Sequence, residues 1–299
     1  MKRVKNEAGI ALLQVLLLSA VISLLALQLT RSARDQVMMA GEFESRARSQ
    51  LGAHSAFSEA IFVQLSDRFF PGVSRAGISA VDLSKTIQFY DEPILWRDEI
   101  FLSVQDLNGL LPQIYPEHIL WRRLLIRHGL DNSEADRYLG VWRDVQDPDV
   151  NSWIRGDTEP DFLPSGHRYL DGYAQTDHVL RWVFADRPVL LEGLLSISEI
   201  DAPIETNIFN APESLLRRIF DHSVVDQIRV LRQENDDVRF STLGLLPSEL
   251  GVDYIYQHNS ALRRITVSLQ FDDSEWSEQW IVKLAPASQP PFNIIRKMF

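Results

Sequence analysis

Apolar residues are distributed unevenly along the chain. From Ile10 to Thr30 only Gln14, Ser19, Ser23, Gln28 and Thr30 interrupt a hydrophobic run, and about 20 such residues suffice to cross a bilayer as a helix. No proline follows until Pro71, so the helix can continue beyond the run without a breaker. Ala53, Phe57, Ala60, Ile61, Gln64 and Leu65 then recur at spacings of three and four, which sets a mostly apolar stripe on one face, fit to dock on a soluble head. The pattern predicts one helix from Ile10 to about Arg68, roughly 90 Å long at 1.5 Å per residue.

After Pro71 the period changes. "KTIQFYD" and "EIFLSVQDLNG" are rich in β-branched and aromatic residues, are separated by Pro93 and end at the turn signal Asn108-Gly109, so they read as two strands. Near the other end of the chain, "RRITVSLQFDD" alternates Ile265, Val267, Leu269 and Phe271 with Thr266, Ser268 and Gln270, the signature of a strand with one buried face. "SEQWIVKLA" and "VDYIYQ" read as its neighbours. Between the two strand groups lie "PEHILWRRLLIRHGL", "NSEADRYLGVWRDV" and "APESLLRRIFDHSVVDQIRVLRQ", all helical in period, with Asn210 and Glu213 placed as a capping pair for the third. The expected fold class is α+β: a long N-terminal helix and an antiparallel sheet interrupted by a large helical insertion. Its segments are residues 1–9 as a leader, 10–30 as the membrane part of the helix, 31–109 as the soluble helix and first strands, 110–251 as the inserted helical domain, and 252–299 as the last strands and tail.

Composition narrows the function. With 299 residues, 45% hydrophobic and 24% charged, the chain can bury a substantial core. A formal net charge of −11 and a pI near 5.1 oppose a nucleic-acid footprint, which needs a basic face to displace counterions from phosphate. The absence of cysteine removes disulfides and thiolate chemistry. The seven histidines form no H-E-x-x-H, and no G-x-S-x-G, phosphate loop or G-x-G-x-x-G occurs. The seven tryptophans suit core or interface positions.

The start of the chain carries the most specific signal. Lys2, Arg3 and Lys5 precede the apolar run, which biases that end to the cytoplasm and the bulk of the chain across the membrane. Gly9 stands before the hydrophobic segment, whereas a secretory signal peptide places its small-residue cleavage site after it. A short basic leader, a glycine and an intact apolar helix resemble the type III signal of type IV pilins and type II secretion pseudopilins. That resemblance implies cleavage by the prepilin peptidase between Gly9 and Ile10 and N-methylation of Ile10. Most members have Phe or Met after the cut and Glu at the fifth mature position; here Ile10 and Gln14 stand there. Within the family the missing Glu marks the large minor pseudopilin of the K type. Further matches to it are "WRDVQDPD", "GDTEPDF" and "TNIFNAPESLL", where Asn207, Ala211 and Pro212 fit the family's helix-opening segment, and Asp106 with Gly109 in "DLNGLLPQI".

The K-type resemblance implies a non-enzymatic subunit at the pseudopilus tip, in the inner membrane with its head in the periplasm. Its implied partners are minor pseudopilins of the I and J types and the pseudopilus shaft; nucleic acid is not among them. It also associates calcium with the helical domain. The candidate ligands are Asp144, Asp147, Asp149, Asp157, Glu159 and Asp161, since calcium takes six to eight oxygens, although their spacing is not that of an EF-hand and solvated surface acids are the other reading. Two other classes stay open. A membrane-anchored periplasmic hydrolase would need acids converging in a pocket, and a competence-type DNA-binding minor pilin would use Arg217, Arg218, Arg229 and Arg232 on phosphate.

Overall fold

The computed structural model describes residues 7–66, 77–80, 85–116, 119–148, 170, 172–233, 258–271 and 274–298. Two compact units divide the chain, residues 1–54 and 55–299. Helix α1 (Glu7–Ser66) is continuous, as the absence of breakers requires, and its predicted limit near Arg68 lies outside the described residues. Its part in the first unit is exposed from Ala11 through Thr30. Ser19, Ser23 and Thr30 each donate a hydroxyl to a carbonyl three or four residues earlier at 2.8 Å, so those polar groups are satisfied within the helix.

In the second unit, α1 turns its docking stripe inward: Phe57, Ala60, Ile61 and Gln64 are buried and Leu65 half-buried. The Phe57 ring stacks on Trp280 at 4.7 Å and meets Phe292 edge-on at 6.3 Å. Ala56 and Ala60 are small enough to let the helix approach the sheet closely, and both are buried.

That sheet has five antiparallel strands, β3 (Ile94–Arg97), β4 (Ile100–Asp106), β7 (Leu262–Phe271), β8 (Ser274–Leu284) and β9 (Phe292–Met298), in the order β3-β4-β7-β8-β9. Ile265, Val267 and Leu269 are buried while Thr266, Ser268 and Gln270 are more accessible, as their alternation requires. β1 (Gly77–Ala80) and β2 (Lys85–Gln88) form a separate antiparallel hairpin. The chain after β2 rejoins the sheet edge through an isolated bridge between Tyr90 and Gln105. The short strands β1 and β3 and the C-terminal β9 were not expected from the sequence, and the expected strand "VDYIYQ" lies outside the described residues.

β4 and β7 are neighbours, with Val104 opposite Ile265, so everything between them is an insertion into the sheet. It begins with a 3₁₀ turn at Leu107–Gly109 and a parallel pair of β5 (Leu111–Pro112) with β6 (Ser198–Glu199). Its described helices are α2 (Ile119–Arg127), α3 (Asn132–Gln146), α4 (His178–Val183), α5 (Pro188–Leu195), α6 (Glu213–Ile219) and α7 (His222–Gln233), with a second 3₁₀ turn at Ile208–Asn210. α2 ends in a Schellman arrangement: Gly129 takes φ +92°, its N–H donates to Ile126, and that of Leu130 donates to Leu125. α3 opens with a capping box in which the Asp131 carboxylate accepts from the Glu134 N–H at 2.8 Å and the Glu134 carboxylate accepts from the Asp131 N–H at 3.3 Å.

The insertion has its own core, in which Trp121 and Trp142 meet edge-to-face at 4.8 Å and Tyr138 stacks on Phe184 at 4.9 Å. Trp121 Nε1 donates to Pro112 O and Tyr138 OH to Asp186, whereas the buried Trp142 Nε1 has no hydrogen-bond partner among the described residues. Trp96, Trp121, Trp142 and Trp280 are fully buried, Trp182 and Trp276 are half-buried, and Trp153 lies outside the described residues.

One helix differs from its prediction. The expected helix over residues 211–233 is two, broken at Phe220-Asp221. Asn210 is not its cap, because the N-cap is Pro212, whose side chain has no oxygen to offer. The amide of Asn210 is drawn away into the seam between sheet and insertion.

Candidate functional site

Three places bear on function: the N-terminal segment, the acid-rich stretch and the seam. Gly9 and Ile10 lie within α1. From Ala11 onward α1 is long and apolar enough to cross a membrane, with a mean hydropathy of 2.3 in its most apolar stretch and none of that stretch buried. Gln14 is exposed.

The acid-rich stretch is only partly described. Asp144 sits in the last turn of α3, within the predicted helical segment, and is buried. Asp147 is the C-cap of the same helix, its N–H donating to Arg143 O at 3.0 Å. Asp149, Asp157, Glu159 and Asp161 lie outside the described residues. Among the described residues no three His, Asp or Glu side chains group to hold a metal ion, and two carboxylates fall short of calcium's six to eight oxygens.

The seam is a dense buried polar cluster, and sequence reasoning did not find it. Asp106, at the end of β4, is fully buried and pairs with the equally buried Arg263 of β7 at 2.7 Å. Its carboxylate also accepts from the Ser260 N–H at 3.0 Å, from the Ser260 hydroxyl and from the Asn210 amide at 3.0 Å. Burial pushes the Asp106 carboxyl up, with Arg263 and the Ser260 hydroxyl acting the other way, and burial pulls the Arg263 guanidinium down. Further hydrogen bonds offset the cost of burying the pair: Arg263 Nη1 also donates to the Ser260 carbonyl at 2.6 Å, although its Nε has no partner among the described residues. Asn210 Nδ2 also lies at 2.8 Å from Asn259 and 3.3 Å from Asn108, and Asn207 N donates to Asn108 O at 2.7 Å. The strand that leaves the sheet, the chain that returns to it and the loop before α6 are thereby tied at one point. The available signal was Asp106-x-x-Gly109 together with an arginine inside an alternating strand.

The arginines considered for phosphate are committed elsewhere. Arg217 and Arg229 pair with Glu213, and Arg218 donates to the Gly193 carbonyl. Arg232 is buried, gives its guanidinium protons to the carbonyls of Ile208, Phe209 and Ala211, and lies 4.1 Å over the Tyr90 ring. Burial pulls it down to about 10, so it stays charged at neutral pH. α6 and α7 therefore present no row of uncommitted cations to a nucleic-acid backbone. Acids do meet beside them, since Asp91, Glu92 and Glu213 line one cavity. Arg217 and Arg229 hold the Glu213 carboxyl below the usual range, the opposite of what a general acid needs.

These features define a pilin-like architecture, with a long N-terminal helix, an antiparallel sheet and a helical domain inserted between adjacent strands. No protein-family model matches the chain, and no curated protein matches it. Among solved structures, a chain in the crystal structure of the GspK-GspI-GspJ complex from the enterotoxigenic Escherichia coli type 2 secretion system has the same fold. The TM-score is 0.59 over 85% of this chain and 96% of that one, at 11% sequence identity.

Proposed function

We propose that this protein is a K-type minor pseudopilin of a type II secretion system: a non-enzymatic subunit held in the inner membrane by α1, with its head in the periplasm. The observation that carries the reading is the helical domain seated between the adjacent strands β4 and β7 of a subunit whose first helix can span a membrane. The fold shared with a chain of the GspK-GspI-GspJ complex supports it, and by that likeness its partners are the I-type and J-type subunits. Cleavage after Gly9 would leave a new ammonium at Ile10, costly in hydrocarbon unless a partner neutralises it. The pseudopilin resemblance supplies that partner as the fifth-position glutamate of a neighbouring subunit. A subunit with nothing ahead of it meets no such ammonium, and Gln14 spares it an unpaired carboxylate in lipid. This supports a place at the distal end of the pseudopilus, where the protein starts assembly with its partners. Calcium bound by the acid-rich stretch belongs to the same proposal.

Three experiments test the reading. Co-expressed with the I-type and J-type subunits of the same source and extracted in detergent, the chain is expected to copurify with both. A label on its head should mark one end of each pseudopilus, and a label spread along the shaft would refute the tip assignment. For processing, mass spectrometry of the membrane-extracted protein is expected to find Ile10 as an N-methylated first residue. In a Gly9→Leu variant residues 1–9 should be retained, and their retention on the parent in cells with active prepilin peptidase would sink the cleavage site.

A further inference from the structure

Asn108-Gly109 is the one Asn-Gly step in the sequence, and it stands within the seam. In an unfolded chain such a step is chemically unstable. The Gly109 backbone nitrogen attacks the side-chain carbonyl carbon of Asn108, a C–N bond forms, ammonia leaves and a succinimide ring remains. Water then opens the ring to aspartate or to isoaspartate, in which the main chain runs through the former side chain and is one methylene longer. A glycine in second place favours the attack, because no Cβ crowds the nitrogen and the backbone turns freely.

The fold opposes each of these requirements. The Asn108 side chain cannot swing toward Gly109, since Nδ2 donates to the His258 carbonyl at 2.5 Å and Oδ1 accepts from Asn210 Nδ2 at 3.3 Å. Nor can the peptide between the two residues rotate: the Asn108 N–H donates to Asp106 at 3.3 Å, the Asn108 carbonyl accepts from Asn207 N at 2.7 Å, and Gly109 lies hard against the Asn210 carbonyl. Asn108 is buried, which keeps out the water that opens the ring. We infer that Asn108 is a deamidation site closed by the seam, intact while the head is folded and converted in chains that stay unfolded. The products cannot rebuild the seam. A carboxylate at this position sets an oxygen, in place of the amide donor, against the His258 carbonyl, and adds a second buried acid beside Asp106, which Arg263 already serves. A buried charge left without its own partner is strongly destabilising. Isoaspartate also lengthens the backbone where the turn is tightest. Deamidation here is therefore one-way, and it withdraws chains that have been unfolded too long; its chemistry is independent of the pseudopilin reading.

The test ages the full chain in detergent at mildly alkaline pH, one sample folded and one unfolded in guanidinium. Peptide mass spectrometry follows Asn108, with labelling by isoaspartate methyltransferase as the second readout. The folded chain should convert at least about a hundredfold more slowly, since folded proteins populate open states at about 10⁻³ or less. A folded rate within a hundredfold of the unfolded one, or no conversion in the unfolded sample, overturns the inference. The unfolded sample is then returned to native conditions, and refolded chains are separated from those that fail. The converted peptide should be confined to the failed fraction, and its even distribution between the two would refute the one-way consequence. Asn108→Asp, which needs no ageing, should have a lower denaturant midpoint than the parent, and an unchanged midpoint would refute it equally.

Discussion

At the scale of single residues, the seam between sheet and insertion depends on contacts that allow no extra atom. A Cβ on Gly109 would lie 2.0 Å from the Asn210 carbonyl oxygen and 2.6 Å from Gln105 Nε2, closer than any non-bonded contact tolerates. Gln105 Nε2 itself donates to that carbonyl at 2.7 Å, so the methyl cannot enter without moving backbone. Gly109→Ala is therefore expected to destabilise the head by about 3 kcal/mol, the upper end for forced overpacking, read as a lower denaturant midpoint with an unchanged slope. Asn108-Gly109 was legible in the sequence as a turn. Its cause was not, because the glycine serves a close approach to a residue a hundred positions away, and such a pairing leaves no mark in a local pattern.

Length helped some elements to be legible but did not decide it alone, since the four-residue β2 was found and the seven-residue β9 was not. α1 and β7 run long enough to show a period, and the stripe from Phe57 to Leu65 faces inward as expected. β1 and β3 have four residues each, too few for a period to stand out. The break between α6 and α7 falls at Phe220-Asp221 with neither glycine nor proline, leaving Asp221 at the N-cap position of α7 as its local mark. What holds these two short helices together is charge as well as packing. Glu213, in the first turn of α6, binds Arg217 one turn on and Arg229 across on α7. The carboxyl is held low first by Arg217 and then by Arg229. The contribution of this group is thus complete above its unfolded value near 4.5 and is lost as pH falls through the lower folded value. Glu213→Gln should accordingly cost a modest amount at pH 7, since the side chain is 41% exposed and solvent screens it. The deficit should close as denaturation is repeated at pH 4 and below. A deficit that persists undiminished at pH 3 would show that Glu213 acts through packing instead.

For the whole molecule, the insertion could be inferred because strands stood on both sides of a helical stretch, whereas the Asp106–Arg263 pair that anchors it joins two elements far apart in sequence. The same separation bears on calcium. Asp144 and Asp147 end α3, and the chain returns at Leu170, whose N–H donates to Val145 O at 3.0 Å. The described ends on either side of the stretch carrying Asp149, Asp157, Glu159 and Asp161 thus meet at one place. An ion that bridges those acids only in the folded head must raise its stability by mass action, about 2.7 kcal/mol at a hundredfold excess over the dissociation constant. For a domain of this size that amounts to a shift of several degrees. The full chain in detergent is expected to melt higher in millimolar calcium than in chelator, and Asp157→Asn to erase the difference without lowering the melting temperature in chelator. If calcium leaves the parent's melting curve where it was, Asp149, Asp157, Glu159 and Asp161 are solvated charge, and the insertion holds together without an ion.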